Sequence, residues 1–277
     1  MIIMKWKLHH TLILAAIVST SPWLYAQPAL ALNGLDATKE YHGELKTDWR
    51  RAFFISGGVG NQFNRVHGSN TLGTGDGWPN DQYESNGISD QPYFTLGGGY
   101  AWARLSDIVP YYSLGLKVIY ASTSTISGYI NQYSLSDFRN YNFQYDVQLY
   151  NVMATAKADL YRWNNLMPYV TGGLGITNYY ASDYSEQATG GVTPRVSPAF
   201  GNASGSNFSY SIGAGIDYVM LQNLWINLEY NYTSYGSVST DNGQNYATLT
   251  GTNYDNESLK NTLSATSLFL GLTYYVS

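Results

Sequence analysis

FSYSIGAGIDYVM, residues 208–220, places Phe208, Tyr210, Ile212, Ala214, Ile216, Tyr218 and Met220 on one face of an extended chain, and Ser209, Ser211, Gly213, Gly215 and Asp217 on the other. Side chains alternate with period two in a strand, so this is a strand with one apolar face and one small or polar face. The next segment repeats it: Leu224, Ile226, Leu228, Tyr230 and Tyr232 oppose Trp225, Asn227, Glu229, Asn231 and Thr233. Upstream, Tyr112, Leu114, Leu116, Val118 and Tyr120 oppose Tyr111, Ser113, Gly115, Lys117 and Ile119. The last segment sets Leu268, Leu270, Leu272, Tyr274 and Val276 against Ser267, Phe269, Gly271, Thr273 and Tyr275.

Three Gly-rich segments, 52–60, 93–103 and 169–177, show the same phase more weakly, and 143–160 completes eight. In this last one the apolar side changes from Phe143, Tyr145, Val147 and Leu149 to Tyr150, Val152, Ala154, Ala156, Ala158 and Leu160. A single inserted residue would flip the faces, which predicts a β-bulge near Leu149 to Asn151. The connections alternate in length: 61–91, 123–141, 181–206 and 236–261 are long, whereas 105–109, 162–167 and 220–223 are tight. Even strand number, long loops on one rim and short turns on the other are the layout of a transmembrane barrel. A soluble barrel would carry charges on its polar face. Here that face is Gly, Ser, Thr and Asn, small enough for the interior of an eight-stranded barrel. The expected fold is all-β, an eight-stranded antiparallel transmembrane barrel over residues 51–277 with four long extracellular loops.

Composition agrees. Charged residues are 12% of the chain, below the roughly 25% of ordinary soluble domains, and there are 27 Tyr and 28 Gly. Cysteine is absent, which removes disulfides and thiolate chemistry. The net charge of −5, with no basic stripe, argues against a nucleic-acid partner. Lys5 and Lys7, the apolar run 11–26 and the small-x-small pattern Ala29-Leu30-Ala31 read as a secretory signal peptide over 1–31, cleaved after Ala31 or alternatively Ala26. Residues 32–50 are expected to form a polar periplasmic segment.

The opening strand RAFFISGGVG, the Pro-Tyr starts at 110–111 and 168–169, the segment LWINLEYNYTSYG and the ending FLGLTYYVS together resemble the small outer-membrane barrels of Gram-negative bacteria. These are the OmpA-like transmembrane domain and the OmpX, Opa and NspA group of the porin family. The resemblance implies residence in the cell outer membrane, contact with its lipid and lipopolysaccharide, and delivery by the barrel-assembly machinery. Gly271, Tyr274 and Val276 match the C-terminal assembly signal, although the usual terminal Phe is replaced by Val276-Ser277. It further implies a role at the cell surface, in adhesion or envelope integrity, with host surface molecules or envelope proteins as partners. A porin-like channel for small solutes is the alternative.

Lys117, Lys157, Asp159, Asp217 and Glu229 fall on the face predicted to line the lumen. A lone desolvated charge is costly, so they are expected to form one ionic network with Lys117 and Glu229 in it, as a structural plug or a gate. Contact candidates in the loops are the aromatics Trp78, Tyr83, Tyr129, Tyr133, Tyr184, Phe200, Tyr246 and Tyr254, residue types favoured as interface anchors. Gly75-Asp76-Gly77 with Asp81 lacks the EF-hand spacing, and neither a metal nor another cofactor is expected. Outer-membrane enzymes such as lipid A deacylases need a base within reach of a nucleophile. His42 and His67 are the histidines beyond the leader, and no predicted strand holds one, so an enzyme is not expected.

Overall fold

The computed structural model describes residues 50–73, 79–104, 108–192, 200–242 and 258–276. Nine strands form one antiparallel sheet closed by pairing of the first with the last: β1 (Arg51–Leu72), β2 (Asp81–Ile88), β3 (Gln91–Ala103), β4 (Ile108–Asn131), β5 (Arg139–Tyr161), β6 (Leu166–Ala188), β7 (Ala203–Val219), β8 (Leu224–Ser239) and β9 (Lys260–Val276). β2 and β3 run one behind the other, and each pairs with β1 and β4. They therefore share one place, and the ring is eight-stranded. The break between them is tied down: Asn64 Nδ2 donates to the Ser89 carbonyl at 2.9 Å, and Asp90 accepts from the Asn64 N–H at 3.1 Å.

The longest strands have 22 to 24 residues, at least twice the roughly 9–11 that a tilted strand needs to cross the hydrocarbon layer. Only the lower part wears an apolar coat. Phe53 to Phe63 on β1, Tyr112 to Tyr120 on β4, Tyr150 to Leu160 on β5, Phe208 to Tyr218 on β7 and Leu268 to Val276 on β9 bound it, their large apolar residues pointing outward and exposed. Tyrosines mark both edges, as expected where lipid meets water. Above this band the polarity reverses. Ile126, Ile130, Phe143, Tyr145, Val147, Leu149, Tyr235, Val238, Leu259 and Leu263 are buried in one cluster inside the barrel. The outer wall there is polar, with Ser, Thr, Asn and Gln beside the exposed Arg65, His67 and Asp183.

This reversal corrects the bulge expected at Leu149 to Asn151. β5 alternates without interruption from Tyr141 to Asp159, odd residues inward, and its pairing with β6 runs unbroken across 146–159. No residue is inserted; the medium outside changes from lipid to water, so the apolar side chains move from the outer to the inner face of an unaltered strand. The bulges lie elsewhere. The register slips between Ala121 and Ser124 on β4, beside Asp183 on β6 and at Tyr235–Gly236 on β8, where Asp183 and Gly236 have φ of 58° and 80°. All three follow the last lipid-facing tyrosine of their strand within four residues, and there the extra residue exchanges the faces on β4 and β8.

The long loops are correspondingly shorter than expected from sequence. Much of 61–91 and 123–141 and the ends of 181–206 and 236–261 are strand, missed because the apolar residues there face inward rather than outward. The predicted leader, all of the 32–50 segment but Arg50, Trp78, Tyr246, Tyr254 and Gly75 to Gly77 lie outside the described residues.

Phe143→Ala, in the upper core, should lower stability by about 3–5 kcal/mol. Val152→Ala, where lipid fills the vacated space, should cost far less. Urea unfolding of both variants in lipid vesicles measures the difference, and equal losses would contradict a protein-packed core above the membrane.

Candidate functional site: a layered lumen and an extracellular wall

From the periplasmic end upward the lumen is filled in layers. The lowest is aromatic: Trp225, fully buried, packs on Tyr275 with ring centroids 4.5 Å apart and on Tyr111 at 4.8 Å, with Met167, Ala52 and Ala101 around them. Sequence reading placed Trp225, Tyr275 and Tyr111 on the inner face but missed the plug they form. Their signal was large aromatics on a face otherwise made of Gly, Ser and Asn.

Immediately above lie the five predicted lumen charges. Lys117 Nζ is 3.5 Å from Glu229 Oε1, while Lys157 pairs with Asp217 and stands 3.7 Å from Asp159. Tyr169 joins the two groups: its hydroxyl donates to Glu229 Oε2 at 3.1 Å, and Lys157 sits 4.1 Å over its ring. Asn231 donates to Glu229 at 3.0 Å and Asn227 to Asp217 at 2.5 Å, while Thr273 donates to Asn227 at 2.7 Å. Neighbouring glycines make room for these rings. A Cβ at Gly215 would lie 2.5 Å from the Tyr169 ring and 2.3 Å from the Leu228 carbonyl, so Gly is required there by close approach. Gly271 does the same beneath Phe269, which places it inside the barrel, whereas Tyr274 and Val276 of the same segment face outward into the lipid band.

A belt of polar side chains separates the ions from the upper core. Gln62 donates to the Tyr235 hydroxyl, Gln91 to Gln62 at 3.3 Å, and Asn151 to Thr177 at 2.9 Å and Ser209 at 3.1 Å. Within the upper core Asn261 donates to Tyr145 at 2.6 Å, and burial pushes the Tyr145 hydroxyl well above the ordinary phenol range, so it stays neutral.

The loop aromatics divide. Tyr83 and Phe200 are only 3% and 6% exposed, stacked edge to face at 5.8 Å, and Tyr184 packs on Phe200 at 4.7 Å. They close the top of the core and so are not the surface anchors expected from sequence; their apolar area is satisfied inside. Tyr129 and Tyr133 are partly exposed. Tyr129 donates to Glu84, which raises its pKa, and the Arg139 guanidinium covers its ring at 3.5 Å. Tyr133 lies in the short helical turn Gln132–Ser134 at the barrel tip, edge to face with Phe138, its N–H donating to Asp81 at 2.9 Å. His67 points outward on β1, opposite Thr262, and makes no side-chain hydrogen bond among the described residues.

Comparison with known proteins agrees with the barrel. The family model of the outer membrane protein beta-barrel domain matches residues 24–274. Outer membrane protein PagN of Salmonella typhimurium is 26% identical over 133 residues, 48% of this chain and 52% of that protein. The chain thus spans about half the length of this curated relative. Among solved structures, OprG from Pseudomonas aeruginosa is similar at a TM-score of 0.44 and 14% identity, over 81% of this chain and 95% of that one. Neisserial surface protein A is similar at 0.41 and 13%, over 81% and 97%.

Glu229→Ala should destabilise the barrel by about 3–5 kcal/mol, because it strands a partly buried lysine. Adding Lys117→Ala should restore much of the loss. Double-mutant unfolding in vesicles decides it; simple additivity would show that the two charges are not coupled.

Proposed function

We propose that this protein, which belongs to the outer membrane protein β-barrel family and resides in the cell outer membrane, acts by surface interaction through its extracellular wall and tip. In this reading it is neither a conduit nor an enzyme. The observation that carries the proposal is the filled lumen. A solute would have to displace the aromatic plug of Trp225, Tyr275 and Tyr111, then a paired ionic layer, then an apolar core extending to Phe200. Each is filled by packed side chains, which supports a rigid stake rather than a pore.

The same long strands carry an exposed polar wall well clear of the lipid band. A surface held by a sheet is a stiffer platform than a free loop, and little ordering entropy is lost when a partner docks on it. Its partners in this reading are host surface molecules or neighbouring envelope components, with lipopolysaccharide around the band and the barrel-assembly machinery during insertion. Catalysis would need a base held against a nucleophile, and among the described residues His67 is not so placed.

Refolded protein in planar bilayers should give no steady current steps, and replacing the tip segment 132–138 with a Gly-Ser linker should reduce attachment of expressing cells while the barrel keeps its heat-dependent gel shift. Reproducible conductance altered by Lys117→Ala would instead make it a channel.

A further inference from the structure

The outer wall above the lipid band is not uniform. Several of its polar side chains are paired with each other: Thr125 donates to Asp146 at 2.7 Å, Gln82 to Ser69 at 3.1 Å, Ser206 to Asn178 at 2.6 Å and Asn202 to Tyr180 at 3.1 Å. One patch differs. Across β2, β4, β5 and β6 the outward residues Asn86, Ser127, Asn142, Gln144, Ser185 and Gln187 border a shallow depression of about 350 Å³. Ser127 lies opposite Gln144, and Gln144 opposite Ser185, so the side chains form a row across the strands, with Asn142 and Gln187 in the next row. Among the described residues none of these six makes a side-chain hydrogen bond.

The concavity has a local cause. Asn86 is the extra residue of a bulge between Ser85 and Gly87, and the register slips again between Gln144 and Asp146 beside Asp183. Bulges bend the bulged strand and raise its twist. The backbone of Gly128 forms part of the floor, while its Cα faces inward onto the Phe143 ring.

We propose that this groove binds a neutral oligosaccharide, which would supply the recognition element of the surface-interaction role on which the inference rests. Four amides and two hydroxyls offer donors and acceptors together, matched to sugar hydroxyls that are both. Anionic ligands are disfavoured because no cation lines the groove and the chain as a whole is acidic. A protein partner would be expected to seat on aromatic, Met or Arg anchors, and the outward residues of the groove include none. The neighbouring ring of Tyr129 is already covered by Arg139. Recognition therefore works by hydrogen bonds from a preformed surface, with modest affinity multiplied by many copies on a cell.

The test is an array of neutral, sialylated and sulfated oligosaccharides probed with the refolded full barrel in lipid nanodiscs, at low and high salt. Retention on at least one neutral structure, unaffected by salt, is expected. Asn142→Ala combined with Gln144→Ala should weaken it by about tenfold or more, and Ser185→Trp, which fills the groove, should do the same. Thr262→Ala, on the β9 wall, should leave it unchanged, and each variant's heat-dependent gel shift checks folding. Retention only on sulfated glycans and lost at high salt, no retention at all, or retention indifferent to the groove variants would overturn the proposal. If cells bearing the groove variants still attach while those lacking the 132–138 tip do not, the glycan site fails and the surface-interaction reading survives.

Discussion

The structure depends on one constraint: each strand must bury apolar side chains against whatever lies beside it, and that neighbour changes along the strand. In the lipid band the apolar residues point out, and the interior takes what remains. Above the band water lies outside, so the apolar residues turn in and pack on each other. β5 does this without a break, Leu149 inward and Tyr150 outward on successive residues. β4 and β8 use bulges to reach the same result. One sheet thereby serves as a membrane barrel below and a soluble barrel above.

The exchange determines what the lumen can hold. Below the crossover it contains groups that lipid would not accept, and two lysines with three carboxylates form a paired layer between an aromatic plug and a polar belt. Removing such charges from water is affordable only because each meets an opposite charge, an amide or a hydroxyl. Above the crossover the lumen is apolar and closed. The barrel's interior is thus spent on stability, and the outer surface is left as the place for recognition.

The membrane half was legible in the sequence because lipid imposes a single sign on the alternation. Phe208 to Met220 and Leu268 to Val276 announce their faces, and the charges at Lys117, Lys157, Asp159, Asp217 and Glu229 stand out against a small, neutral background. The extracellular half was hidden by the same rule. Read with apolar residues expected outside, Phe143 to Leu149 looked out of phase and 123–141 looked like loop. Tyr83 and Phe200 illustrate the cost: in a presumed loop an aromatic suggests a contact, whereas in an inward-facing wall it is core. The groove at Gln144 had no signal in the sequence, since its outline comes from bulges on two other strands and its residues are common surface amides.

The absence of native cysteine permits the direct test, which is single-cysteine scanning along β5 from 141 to 160 in the membrane-inserted protein. Each site is probed with a water-soluble thiol reagent and, through an attached spin label, for contact with lipid. The account predicts unbroken alternation: even positions reach water from 142 to 148 and lipid from 150 to 160, and odd positions are protected throughout. Two successive positions between 148 and 152 with the same accessibility would mean an inserted residue flips the strand there, and the exchange of faces without change of register would be contradicted.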